Sequence, residues 1–249
     1  MNTKTTKVSD TSLSREEKKE NNKKQKALLK KAEFVYSALQ ALYPDAECTL
    51  DTDEDPFRLF VRGILSAQCT DLRVNSVSKE LFVQYPDIRA FAEADPEILG
   101  EQIRSCGLYR SKSKGIVESA HRILTEYGGV IPEDRDILQT FPAVGRKIAN
   151  LIAGEIYGVP AIVVDTHCSR VAVRIGFSQA SSPAAIEKDL MRYFPSEQWI
   201  SLGHLMVAHG RALCDARNPK CSECPIAPMC DEISRPTASK KTNTRGAKT

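Results

Sequence analysis

Residues 138–149 read Leu138-Gln139-Thr140-Phe141-Pro142-Ala143-Val144-Gly145-Arg146-Lys147-Ile148-Ala149. Leu138 and Phe141 close one short helix, Pro142 to Gly145 turn the chain sharply, and Arg146 starts the next helix. Amides of a turn that precedes a helix point outward with the positive end of the helix dipole behind them, which makes an anion site suited to a DNA phosphate. This is the helix-hairpin-helix device, and it is sequence-independent because phosphate contacts position a nucleic acid without specifying it.

Two charged residues follow from the hairpin. Lys147 lies in the first turn of the second helix, where a cation meets the unfavourable end of the dipole and adds nothing to stability. It is read in two ways: as an exposed lysine that contacts phosphate, or as an amine nucleophile able to attack carbon. Eighteen residues later, Val163-Val164-Asp165-Thr166-His167 sets a carboxylate after an apolar run and before a helix. Asp165 is an N-cap by type and position. An acid fixed at a helix start near Lys147 can also take a proton from an amine or stabilise a developing sugar cation. A lysine with a nearby carboxylate suggests imine chemistry at an aldehyde-equivalent carbon.

Outward from this segment the chain reads as short amphipathic helices punctuated by Pro, Gly and Asp. Ser14, with Glu17 three residues on, is placed as a capping box leading into Ala32, Val35, Tyr36, Leu39 and Leu42, the highly charged first turns being a solvated or frayed extension. Asp55-Pro56 opens a helix through Leu65, and Asp71 opens one through Phe82. Further helices are expected near 86–93, 96–105 and 111–126, then at Asp134 to Phe141, Arg146 to Tyr157, Thr166 to Phe177, Pro183 to Phe194 and Glu197 to Leu213. Only Ala161 to Val164 looks strand-like, too short to seed a sheet, so the fold class is all-α.

The chain has 249 residues, 41% hydrophobic and 27% charged, enough to bury a core in one or two domains. No stretch approaches the roughly 20 consecutive apolar residues of a membrane span, and the N-terminus carries no apolar signal core. The expected setting is a reducing cytoplasm with no membrane contact. The net charge of +3 conceals basic ends: residues 1–31 hold ten Lys/Arg against four Asp/Glu, and residues 231–249 hold five against two. The middle is acidic, so any polyanion must be met by cations gathered in a cleft, including Arg146, Lys147 and those at Arg110, Lys112 and Lys114.

In a reducing compartment the eight cysteines need packing, metal binding or catalysis to explain them. Cys214, Cys221, Cys224 and Cys230 fall in one Pro-rich loop and read as metal ligands. Four thiolates suit a structural zinc or an iron–sulfur cluster, with the spacing leaning mildly to the second. Cys48, Cys69, Cys106 and Cys168 read as buried small hydrophobes. The histidines read as packing or supporting residues, His167 being the one nearest Asp165.

Taken together, Leu65-Ser66-Ala67-Gln68-Cys69-Thr70-Asp71, Gly107-Leu108-Tyr109, the Pro142 to Lys147 hairpin, Val164-Asp165-Thr166-His167, His209-Gly210-Arg211 and the C-x6-C-x2-C-x5-C loop resemble the endonuclease III family over residues 30–232. The resemblance implies two helical domains flanking a DNA cleft. One is a six-helix barrel at 50–158 with the hairpin; the other combines 30–49 with 159–232 and carries a [4Fe-4S] cluster. Residues 1–29 and 233–249 are expected as basic disordered tails.

It further implies a monomeric glycosylase/AP lyase of base-excision repair, nucleoid-associated, acting on oxidised or ring-saturated pyrimidines in damaged double-stranded DNA. Lys147 would be the Schiff-base nucleophile and Asp165 its activator. Because the damaged nucleotide must leave the stack, Gln68 and Leu108 would wedge into the duplex, while Pro142, Ala143, Val144, Gly145 and Arg146 would hold the backbone. Ala143 departs from the family's usual glycine, and its Cβ is expected to crowd a phosphate, so Ala143→Gly should tighten abasic-DNA binding. Two alternatives stand beside this reading: a monofunctional adenine-glycosylase-like enzyme, which generally lacks the lysine and carries a further C-terminal domain, and a non-cleaving DNA-binding redox module.

Overall fold

The computed structural model describes residues 15–52 and 55–234. Among them there are helices and no strands. The helices are α1 (Arg15–Leu42), α2 (Pro56–Leu65), α3 (Asp71–Gln84), α4 (Ile88–Ala92), α5 (Pro96–Gln102), α6 (Tyr109–Tyr127), α7 (Arg135–Leu138), α8 (Arg146–Tyr157), α9 (Thr166–Ile175), α10 (Pro183–Leu190), α11 (Trp199–Ala212) and α12 (Asp231–Ser234). None is long and apolar enough to cross a membrane.

Side-chain caps define most starts. Asp55, Thr70, Asp87, Asp95, Asp134, Asp165 and Ser182 each accept a backbone N–H from the turn that follows, satisfying donors that a helix cannot satisfy itself. By contrast α6, α8 and α11 start on Leu108, Gly145 and Gln198 with no side-chain cap. The start of α8 opens onto the cleft.

The apolar faces bury into two cores. One gathers α2 to α8, with Phe57, Phe60, Phe91, Ile116, Phe141 and Ile152 among its members. The other joins Ala32, Val35 and Leu39 of α1 to α9, α10 and α11 through residues such as Val171, Ile186, Leu202 and Met206. The chain thus leaves one core after α8 and meets its own N-terminal helix in the other.

Two expectations change. Residues 15–29, taken as disordered tail, are helical, and Lys19, Glu20 and most of residues 22–29 are exposed. Lys, Glu, Gln and Ala are strong helix formers whatever they pack against, and Glu20–Lys24 is an i,i+4 ion pair at 3.7 Å. Ile233 and Ser234 likewise belong to α12. The Ser14 cap and the remainder of both basic ends lie outside the described residues. The strand-like Ala161 to Val164 is a mostly buried linker between cores; buried Asn150 donates to the Ile162 carbonyl at 3.0 Å, so its polar backbone is met without a sheet.

Candidate DNA-binding cleft and catalytic site

A cleft of 1580 Å³ runs between the two cores. Gln68, Asp71, Gly145, Arg146 and Lys147 line it from one side; Asp165, Thr166, His167, Arg170 and Glu187 line it from the other. Lys147 is exposed on the second residue of α8. Asp165 is half-buried, and its Oδ1 accepts the Cys168 N–H at 2.7 Å, which fixes the carboxylate at the start of α9. Lys147 and Asp165 also share a smaller cavity of 60 Å³ with Cys48, Leu50, Ser66 and His204.

A second carboxylate shares this wall. Asp71 Oδ2 accepts from Thr49 Oγ1 and from Arg211 Nη2, each at 2.6 Å. Burial by itself would raise the Asp71 carboxyl, but the Thr49 hydroxyl and the Arg211 guanidinium, with Lys147 nearby, hold it below the ordinary carboxylate range. It therefore stays ionised beside the amine. In sequence Asp71 reads only as a helix opener, and nothing local signals that Arg211, 140 residues away, returns to it.

The hairpin amides precede α8, whose N-cap Gly145 has φ −91° and no side-chain partner, leaving the first-turn N–H groups for a ligand. Pro142 is half-buried and Val144 is buried, so both anchor the turn. Ala143 adopts φ +61°, and its methyl faces Gly115 of α6: a Cβ placed on Gly115 would fall 2.9 Å from it. The methyl thus lies against that helix at the position where Gly115 leaves room for it. Arg146 is engaged within the protein, its Nε and Nη2 donating to Glu187 at 2.7 and 3.2 Å. Glu187, 2% exposed, also accepts from Asn150 at 3.0 Å. Arg146 thus ties α8 to α10 across the two cores while half of its side chain stays exposed in the cleft.

Gln68 and Leu108 are both exposed on loops of the first core, and Gln68 lines the cleft. With Ala143 they are the described non-glycine residues at positive φ, at +54° and +49°. Such backbone costs about 1–3 kcal/mol per residue and persists where the surroundings enforce it. Arg110 and Lys114 are exposed. Lys112 is not: it is 2% exposed and donates to three backbone carbonyls, so it is removed from the set of DNA-facing cations.

Cys214, Cys221, Cys224 and Cys230 line one cavity with Arg174, Ile175, His209, Leu213 and Ile226. Arg170 and Arg174 of α9 donate to the Cys214 carbonyl at 3.0 and 3.4 Å, and Arg174 reaches the Cys214 Sγ at 3.4 Å. Yet among the described residues no three such donors converge as for a single metal ion. Four soft sulfur donors around a shared cavity suit an iron–sulfur centre. His209 packs here, its Nδ1 3.2 Å from the Tyr43 hydroxyl, and burial lowers its pKa to about 4.

Of the other cysteines, Cys106 and Cys168 are buried, while Cys48 and Cys69 are only partly so. His167 lies on Arg170 at 3.2 Å, and His204 pairs with Glu155 at 2.9 Å across the cores.

Residues 61–196 match the family model described as HhH-GPD superfamily base excision DNA repair protein. Residues 214–230 match the iron-sulfur binding domain of endonuclease III. Endonuclease III of Bacillus subtilis (strain 168) is 43% identical over 82% of this chain and 93% of its own length. That of Synechocystis sp. is 41% identical over 80% and 91%. A solved non-covalent endonuclease III–DNA complex superposes with TM-score 0.79 at 39% identity, covering 83% of this chain and 96% of that one. A trapped endonuclease III–DNA covalent intermediate gives 0.78 at 39%, covering 83% and 97%. With an uncapped hairpin helix, a lysine and two carboxylates on one cleft, and an iron–sulfur binding loop, the chain belongs to the endonuclease III family of HhH-GPD base excision DNA repair proteins.

Proposed function

We propose that this chain is a bifunctional DNA glycosylase/AP lyase that removes oxidised or ring-saturated pyrimidines from double-stranded DNA and nicks the resulting abasic site. The observation that carries the reading is the placement of Lys147 and Asp165 on one cleft beside the uncapped start of α8. The free hairpin N–H groups at Gly145 and Arg146, in the turn that begins at Pro142, hold a backbone phosphate. Gln68 and Leu108 enter the stack where the damaged nucleotide leaves it, Gln68 offering its amide to the orphaned partner base.

In this reading the Lys147 amine attacks the sugar C1′ and the base departs with the electrons of the glycosidic bond. Asp165 accepts the proton that the amine loses and stabilises the positive charge developing on the sugar. The sugar ring opens to a Schiff base between C1′ and Lys147. Loss of a C2′ proton then drives β-elimination, breaking the C3′–O bond so that the 3′ phosphate leaves. Asp71, ionised beside the amine, adds negative potential at the site of the cation.

The two cores support a domain division at 50–158 against 30–49 with 159–232. The four-cysteine cavity supports a [4Fe-4S] cluster held by Cys214, Cys221, Cys224 and Cys230. Bound there, the cluster cross-links the loop and brings one-electron redox capacity. In this reading the enzyme acts as a monomer, and the DNA substrate implies a cytoplasmic, nucleoid-associated setting.

The test is borohydride trapping on a duplex carrying a single oxidised pyrimidine. The parent protein should form a covalent adduct and Lys147→Ala should form none. An adduct that survives Lys147→Ala overturns the nucleophile, and a parent that excises without trapping overturns the lyase.

A further inference from the structure

The two wedge loops meet at one buried cation. Lys112 is in the first turn of α6 and only 2% exposed. Its Nζ donates to the Leu65 carbonyl at 2.8 Å, the Ala67 carbonyl at 2.7 Å and the Cys106 carbonyl at 2.8 Å. An ammonium has three donors and no acceptor, so the group is fully satisfied by these three bonds.

The acceptors matter more than their number. Leu65 ends α2, where carbonyls lose their helical partners. The Ala67 carbonyl belongs to the peptide that enters Gln68, and the Cys106 carbonyl is two residues before Leu108. Gln68 and Leu108 are themselves held at φ +54° and +49°. On the other side, the Leu108 carbonyl accepts from the Lys112 backbone N–H at 3.0 Å and the Ser111 hydroxyl at 3.0 Å. Nothing in the backbone connects the loops, which are about 40 residues apart in sequence. A strained loop persists only where its surroundings over-determine it, and one charged group held in a helix bonds to both loops, beside a side-chain hydrogen bond between Cys69 and Cys106.

We propose that Lys112 is a positioning residue for base extrusion: its ammonium locks the Gln68 and Leu108 loops at a fixed separation, so that both wedges enter the duplex as one unit. This rests on the wedge roles proposed above. Lys112 touches no DNA in this scheme, and acts only through the two residues it aims. Its burial lowers its pKa, opposed by the neighbouring Cys106 and Cys69, and charge-assisted bonds to carbonyls favour the ammonium that the three contacts require.

The experiment is a mutant cycle on the full-length, cluster-loaded protein, with Lys112→Met placed in the parent and in the Gln68→Ala/Leu108→Ala background. Single-turnover excision from a fully paired damaged duplex should fall at least tenfold in the parent background. It should fall less than twofold where the wedges are already absent, because interacting sites are non-additive. Nicking of a single-stranded oligonucleotide with one abasic site, which has no stack to open, should change less than threefold on Lys112→Met within either background.

Equal losses in both backgrounds, or a parallel loss on single-stranded DNA, overturn the proposal. If Lys112→Met does not fold, Lys112→Gln, which keeps two N–H donors, takes its place in the same cycle with a smaller expected loss. A parent protein that excises nothing indicts the functional reading; a parent that excises, with additive Lys112 effects, indicts only this one.

Discussion

Gly115→Ala probes how the hairpin rests on α6, and its outcome should depend on Ala143. A Cβ at Gly115 falls 2.9 Å from the Ala143 methyl and 3.2 Å from the Pro142 carbonyl oxygen. Replacing an interior helical glycine by alanine gains about 1 kcal/mol in propensity. Overpacking a filled site costs about 1–3 kcal/mol. Ala143, already at φ +61°, has little room to yield, so the clash wins and Gly115→Ala should lose about 1 kcal/mol, or roughly 2–4 °C in Tm for a chain of this size.

In an Ala143→Gly background the nearer obstacle is gone. The remaining 3.2 Å approach needs only a few tenths of an ångström of relief, so the same substitution becomes neutral or stabilising. The expected coupling between the two sites is about 1–2 kcal/mol, well above the additivity limit of roughly 0.3–0.5 kcal/mol. Ala143→Gly alone trades relief of a left-handed alanine against about 0.4–1 kcal/mol of extra unfolded-state entropy; its net effect should be small and its affinity for abasic DNA close to the parent's. The assay is urea unfolding of the four cluster-loaded proteins beside anisotropy titrations with an abasic-analogue duplex. Gly115→Ala, which displaces the hairpin, should weaken Kd several-fold and the double variant should restore it. Additive unfolding energies, or a Kd unaffected by Gly115→Ala, would refute the contact as the reason for glycine.

Asp165→Asn separates capping from chemistry. Asparagine caps as well as aspartate, so unfolding should change by less than about 1 kcal/mol while single-turnover excision falls by about 10²–10⁴; retained activity would leave Asp165 a cap only. Burial pushes the Cys48 thiol up to about 12, with Glu155 adding to it, and the Cys106 thiol up to about 11, with Cys69 adding to it. Near neutral pH both are therefore thiols, and alkylation of the cluster-loaded protein should be slow at these two sites and become fast on unfolding. Rapid labelling of either in the native protein, read by peptide mass, contradicts the raised thiols.

The helices were legible because their signals are local. Asp55-Pro56, Asp134 and Asp165 mark their own helix starts through one side chain and the next two or three amides, and the resulting caps are in place. The hairpin, Lys147 and the clustered cysteines were legible for the same reason, since each is a chemical type at a fixed short spacing. What misled was treating charge as a local property too. Arg146 and Lys112 each look like a surface cation in sequence, but one is engaged by a buried glutamate 41 residues away and the other by a carbonyl 47 residues away.

A linear chain thus states which backbone segments are helical, where they stop, and which reactive groups it owns. It does not state which charges survive as free charges, because that depends on desolvation and on partners brought in by packing. Only the folded molecule pairs Asp71 with Arg211, spends Arg146 on Glu187, turns the Ala143 methyl onto Gly115 and closes Lys112 over two distant loops. Electrostatic and steric terms act through space and fall off within a few ångströms, so they are decided by the tertiary arrangement that sets those distances.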